Sequence, residues 1–214
     1  MSEKLEKPMV IEGREIRNYI VNEIRAGAGE DGVKKISGYA AVFNQPSEDL
    51  GGFVEKIAPG AFAQSLVADD VRSLWNHNAD YPLGRVKART LSLSEDLKGL
   101  KFEIIPPDTQ YARDLIVSIE RGDVDSMSFG FYTLNDNWER VGDTIIRTLL
   151  EVQLLEVSPV TFPAYPQTSA AVRSKLDEFT QGNQVVANEA EARLAQVRRE
   201  SRKRKLQLKT LIGN

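Results

Sequence analysis

The chain has 214 residues, 41% of them hydrophobic and 28% charged, which is ordinary globular usage and excludes a fibrous repeat or a wholly disordered chain. With no cysteine and a single histidine, a disulfide framework, a thiolate nucleophile and sulfur-ligated zinc are excluded, only carboxylate-rich metal sites are left, and a metalloenzyme is not expected. The net charge of -3 hides an asymmetry, since residues 189–214 carry eight basic side chains against three acidic ones, giving +5 there and -8 elsewhere. Such a tail suits a negatively charged partner or a solvated helix face.

Residues 1–13 are polar and charged, contain a proline and no apolar stretch, and read as a disordered leader. No apolar run approaches the roughly 18 residues of a membrane span, so a cytoplasmic protein is expected. Ile16, Tyr19, Ile20 and Val21 predict a strand over Glu15–Glu23. Gly27 to Gly32 reads as a turn, and a second strand over Lys35–Phe43 completes an antiparallel hairpin. A Pro/Gly loop over Asn44–Gly52 leads to a short strand, Phe53–Ile57, after which Pro59-Gly60 opens a helix burying Phe62, Leu66 and Val67. Val71–Trp75 predicts a strand with His77 at its end.

Gly84–Leu93 and Leu100–Ile105 are two extended runs around Glu95–Gly99, a hairpin by spacing and turn chemistry. Thr109–Arg121 is the clearest helix: Thr109 can cap it, Ala112, Leu115, Ile116 and Ile119 form its buried stripe, and Gly122 stops it. Turns are expected at Asn135–Asn137 and Val141–Asp143, and a β-rich run from Thr144 to Val157 ends at Ser158-Pro159. The β pattern stops near Ser169. These elements predict an α+β domain over 14–172, built on a mainly antiparallel, closed or strongly curved sheet with peripheral helices, followed by a helical or disordered basic tail over 173–214.

On the strand Asp125–Phe131 side chains alternate, so Met127, Phe129 and Phe131 face the core while Ser126, Ser128 and Gly130 share the other face. That small-residue face leaves room for a substrate, or is an ordinary packed strand. A serine nucleophile needs a base, and the base needs an orienting partner; His77 is the one imidazole available. Glu156 lies near the end of the last β run, where a buried carboxylate requires a partner; Glu151 and Glu103 are rivals for that role. No G-x-S-x-G elbow and no phosphate-cradling glycine loop occur.

Five segments, Phe53–Phe62, Leu74–Asn78, Gly84–Val86, Ser126–Phe131 and Glu156–Tyr165, resemble in order and spacing the prohead (capsid maturation) proteases of tailed bacteriophages. The resemblance implies a serine endopeptidase with a herpesvirus-assemblin-like barrel. Its work would be to cleave the scaffold segment of the major capsid protein, and itself, inside assembling proheads in the host cytoplasm. It implies Ser128 as nucleophile, immediately before Phe-Gly-Phe, with Ser126 as nearest rival, and His77 as general base. Related viral proteases use a second histidine, which this chain lacks, so Glu156 is the expected orienting group. The resemblance implies no cofactor and no membrane partner. The basic tail is then expected to retain the enzyme in the procapsid. The competing readings are an inert capsid-assembly scaffold protein on the same fold and, weakest because the remainder is acidic, a nucleic-acid-binding module.

Overall fold

The computed structural model describes residues 13–19, 24–29, 32–162 and 172–182, with Arg193 and Arg198. The chain divides into two compact units, 1–169 and 170–214. The second is described as a helix over 172–182; the leader over 1–12 and most of the basic tail lie outside the described residues.

The first unit contains β1 (Glu15–Tyr19), β2 (Arg25–Ala28), β3 (Lys34–Val42), β4 (Val54–Ile57), α1 (Ala63–Ala68), β5 (Arg72–Trp75) and β6 (Asn78–Arg85). After these come β7 (Leu91–Glu95), β8 (Gly99–Ile104), α2 (Gln110–Arg121), β9 (Ser126–Val141) and β10 (Thr144–Val160). One sheet runs β1-β9-β10-β5-β6, with β4 also on β10; the other runs β2-β3-β8-β7. Only β10 with β4 and β10 with β5 are parallel, so the architecture is α+β and mainly antiparallel. The larger sheet is strongly curled, but no pairing among the described residues joins the two sheets into one closed barrel.

Its curl comes from the β9–β10 hairpin. A straight strand of 16 residues would reach about 50 Å, more than a domain this size spans, and the register shifts near Leu149–Val152 and Leu154–Glu156. Such bulges bend the ribbon and increase its twist. The turn expected at Asn135–Asn137 is one of these bends: the strand continues through it because Asp136 accepts from Arg147 at 2.8 Å. Gly142, at φ 62°, makes the real turn. β10 likewise does not stop at Ser158-Pro159. Proline removes a ladder donor but keeps its carbonyl, and that of Pro159 accepts the Asn76 amide at 3.0 Å.

Local pairing differs from expectation elsewhere. β1 does not form a hairpin with β3; it joins β9, with Asn18 opposite Ser128, and β2 supplies the hairpin. The run from Gly84 to Leu93 is split, its first residues ending β6 in the other sheet. Leu66 packs on the core, but Val67 is 90% exposed. α2 buries the expected Ala112, Leu115, Ile116 and Ile119 and ends at left-handed Gly122, yet Thr109 makes no side-chain cap bond.

The core lies between the sheets and α2: Met127, Phe129 and Phe131 meet Ile36, Leu100 and Phe102 from the second sheet and Leu115 from the helix. Each such side chain contributes about 1.5–3 kcal/mol by leaving water. Phe129 packs edge-on against Phe62, ring centroids 5.6 Å apart. Beside this core lies a buried ionic cluster. Arg147 of β10 bonds Glu15 and Glu55 at 2.8 and 2.9 Å, and Arg17 bonds Glu55 at 2.8 Å. Burial alone would push the Glu15 carboxyl up, but the hydrogen bond and charge of Arg147, then the charge of Arg17, hold it below its ordinary range.

Candidate active site

The hairpin turn between β5 and β6 is two residues long, with Trp75 opposite Asn78. Asn76 and His77 both have positive φ, 53° and 58°, as a type I′ turn requires. Asparagine adopts that region readily; histidine does so less often, and the conformation is held from outside. The Asn76 amide donates to Pro159, its side-chain oxygen accepts the Thr161 amide at 2.8 Å, and its side-chain nitrogen donates to the Thr161 hydroxyl at 3.3 Å. The turn that carries His77 is thereby tied to the end of β10.

Glu156, 3% exposed, lies on that strand. His77 Nδ1 and Glu156 Oε1 are 2.8 Å apart. A carboxylate acceptor places a proton on Nδ1, so in the neutral imidazole the lone pair lies on Nε2. Nε2 is buried and has no hydrogen-bond partner among the described residues. The other carboxylate oxygen accepts from the Ser158 hydroxyl at 2.7 Å, and Arg14 also pairs with Oε1. Burial pushes the Glu156 carboxyl up, but the hydrogen bond and charge of His77, then Ser158 and Arg14, outweigh it and hold the group below its ordinary range.

Gly130 lies opposite Glu156 across the two strands. A Cβ there would fall 3.0 Å from Glu156 Oε1 and 3.0 Å from the Arg14 guanidinium, so glycine makes the room in which the carboxylate lies. Two residues earlier on the same face, Ser128 stands opposite Ser158. Ser128 is fully buried, and its hydroxyl donates to the Arg17 carbonyl at 3.0 Å. Of the two readings of the small-residue face, the packed strand is the one found: Ser126 and Ser128 are both buried.

Thus His77 and Glu156 are bonded directly. Ser128 shares their face through Ser158, although its own proton goes to β1. Ser126 is turned to Asp125, 2.8 Å away. Glu103 stands in the other sheet, half-exposed and paired with Lys35, and Glu151 occupies the bulge of β10, opposite Asn135; neither approaches the histidine through a hydrogen bond among the described residues. Ser158 and Arg14 escaped the sequence reading. The spacing Glu-x-Ser at 156 and 158 on one strand was the available sign, since side chains two apart share a face.

A cleft of about 390 Å³ opens beside Glu156, lined by Arg14, Asp69, Arg72, Leu74 and Leu154 among others. Among the described residues no three His, Cys, Asp or Glu side chains cluster as a metal site would need.

Residues 20–182 match the family model for the caudovirus prohead serine protease. The chain belongs to that family. It is 34% identical over 159 residues to the prohead protease of Enterobacteria phage HK97, a match covering 71% of this chain and 64% of that protein. Among solved structures it is matched with the bacteriophage T4 capsid assembly protease at 9% identity and a TM-score of 0.41, over 70% of this chain and 99% of that one. Family membership rests on the family-model match, and the chain spans just under two thirds of the length of the phage HK97 relative.

Proposed function

We propose that the chain is a serine endopeptidase of capsid maturation in which Ser128 is the nucleophile, His77 the general base and Glu156 the group that orients the imidazole. The observation that carries this reading is the His77–Glu156 bond: it leaves Nε2 without a partner among the described residues, and Glu156 lies on the sheet face that bears Ser128, in a member of a serine protease family. For reaction the Ser128 hydroxyl turns from the Arg17 carbonyl to Nε2 and attacks the scissile carbonyl carbon. Nε2 takes the proton and passes it to the leaving amine, after which water hydrolyses the acyl-enzyme. Glu156 keeps the proton on Nδ1 and stabilises the imidazolium, a task for which a carboxylate held ionised by His77, Ser158 and Arg14 is suited.

The substrates under this reading are the scaffold segment of the major capsid protein and the protease itself, inside assembling proheads in the infected host. The curled sheet is taken to be of the herpesvirus-assemblin kind, and the basic tail to hold the enzyme in the procapsid. The test is intact-mass analysis of the capsid protein after co-expression with the wild-type chain, Ser128→Ala, His77→Ala and Ser126→Ala. Loss of a defined segment with the wild type and Ser126→Ala alone is expected. Absence of trimming by every version, where shells form, would replace the peptidase with an inert scaffold protein.

A further inference from the structure

We infer that Ser158 is a positioning residue for the His77–Glu156 pair, fixing the rotation of the Glu156 carboxylate so that Oε1 faces Nδ1 of the imidazole. The inference rests on the proposed role of that pair. The last torsion of a glutamate side chain is broad and roughly two-fold, so a carboxylate bonded through one oxygen can turn. In this site both His77 and Arg14 engage Oε1. Ser158 alone among the described residues engages Oε2, at 2.7 Å.

The placement of Ser158 makes that contact short and stiff. It follows Glu156 by two residues on β10, so both side chains stand on the same face. It is fully buried and has one side-chain torsion to order. Gly130 leaves the space that the carboxylate fills, since a Cβ there would lie 3.1 Å from Glu156 Cγ. With His77 and Arg14 on Oε1 and Ser158 on Oε2, the carboxylate plane is held through both oxygens. Ser158 also stands directly across from Ser128. Its hydroxyl donates to the Glu156 carboxylate, whereas that of Ser128 donates to the Arg17 main-chain carbonyl.

A serine that merely packs would also need a hydrogen-bond partner when buried, but its removal would leave the imidazole unchanged. Because the chain has a single histidine, the Nδ1 proton and nitrogen resonances of the full-length protein report His77 alone. Wild type should show a downfield Nδ1 proton from its charge-assisted bond. In Ser158→Ala that resonance should move upfield and exchange faster with water, while Ser158→Thr, which keeps the hydroxyl, should retain it. Cleavage of the capsid protein by Ser158→Ala should show kcat lower by about tenfold, the kinetic equivalent of one hydrogen bond to a charged group, with little change in KM. Urea unfolding verifies that each variant folds; should Ser158→Ala not fold, Ser158→Cys, a weak donor of similar shape, takes its place with the same expectation. An Nδ1 resonance unchanged by loss of the hydroxyl would overturn the inference, whatever the rate. If no version cleaves the capsid protein, the proposed function fails, and the imidazole resonance still decides the role of Ser158.

Discussion

Two polar clusters are buried in the same curled sheet, and they are satisfied in different ways. In the first, Arg17 and Arg147 are surrounded by Glu15, Glu55, Asp136 and the Thr133 hydroxyl, and every guanidinium and carboxylate has partners. In the second, Glu156 is held by His77, Ser158 and Arg14, but the imidazole keeps one buried nitrogen without a partner among the described residues. A buried polar atom left unpaired costs about 1–3 kcal/mol, so a fold retains one where something else needs it. The complete cluster fastens β1, β4, β9 and β10 together; the incomplete one has a lone pair to offer a proton.

The sharpest way to break this comparison is to alter one carboxylate in the second cluster. Glu156→Gln should lower kcat by about three orders of magnitude or more with a modest change in KM, because an amide does not enforce the Nδ1 tautomer; steady-state cleavage of the capsid protein checks it. A near-normal rate would mean that Glu156 does not orient His77.

The first cluster should fail in stability instead. Arg147→Met leaves Glu15, Glu55 and Asp136 short of a cation inside the protein and should cost about 3–5 kcal/mol by urea unfolding at neutral pH. A smaller loss would show that Arg17 alone can hold the acids. Gly130→Ala probes the boundary of the site: its Cβ must displace the Glu156 carboxylate or Arg14, so kcat should fall by about tenfold while stability falls by about 1–3 kcal/mol.

Both clusters contribute to acid sensitivity with the same sign. The carboxyls of Glu15 and Glu156 are held below their ordinary values in the folded chain, so at low pH the unfolded state binds protons first. Their contribution is complete above the unfolded carboxylate value, about 4.3, and is lost as pH falls through the folded values. Urea midpoints measured against pH should therefore decline on the acid side, and less so in Glu156→Gln. The smallest effect belongs to Arg14, whose side chain is 44% exposed. Arg14→Ala should change stability by less than about 1 kcal/mol, and a larger loss by urea unfolding would mean that it closes the site.

Much of this was legible in local patterns. The α2 stripe of Ala112, Leu115, Ile116 and Ile119 repeats with the helix, and Met127, Phe129 and Phe131 alternate with the strand, because both periods follow from backbone geometry. β6 was not legible: residues 78–82 are exposed, hold a proline and show no apolar alternation, and their strand conformation comes from pairing with β5 across the His77 turn. Glu156 is separated from its rivals Glu151 and Glu103 by the family resemblance; its partner Ser158 reads as the end of the strand, and Arg14, just before the first expected strand, has no role in that reading.

By itself the sequence determined what is local or eliminative: one imidazole, no thiol, a core-facing triplet beside Ser128, a helix with its glycine stop, and family motifs in order. Tertiary structure alone decided that β1 crosses to β9 and lays the Arg17 carbonyl on Ser128, that an ionic cluster is buried beside the core, and that the Asn76-His77 turn is tied to the end of β10 beside Glu156. The bonds His77–Glu156, Ser128–Arg17 and Arg147–Glu15 join residues 79, 111 and 132 positions apart. Chain connectivity and propensity are silent about them, since they form only when burial of the common apolar core brings the strands that carry them into register.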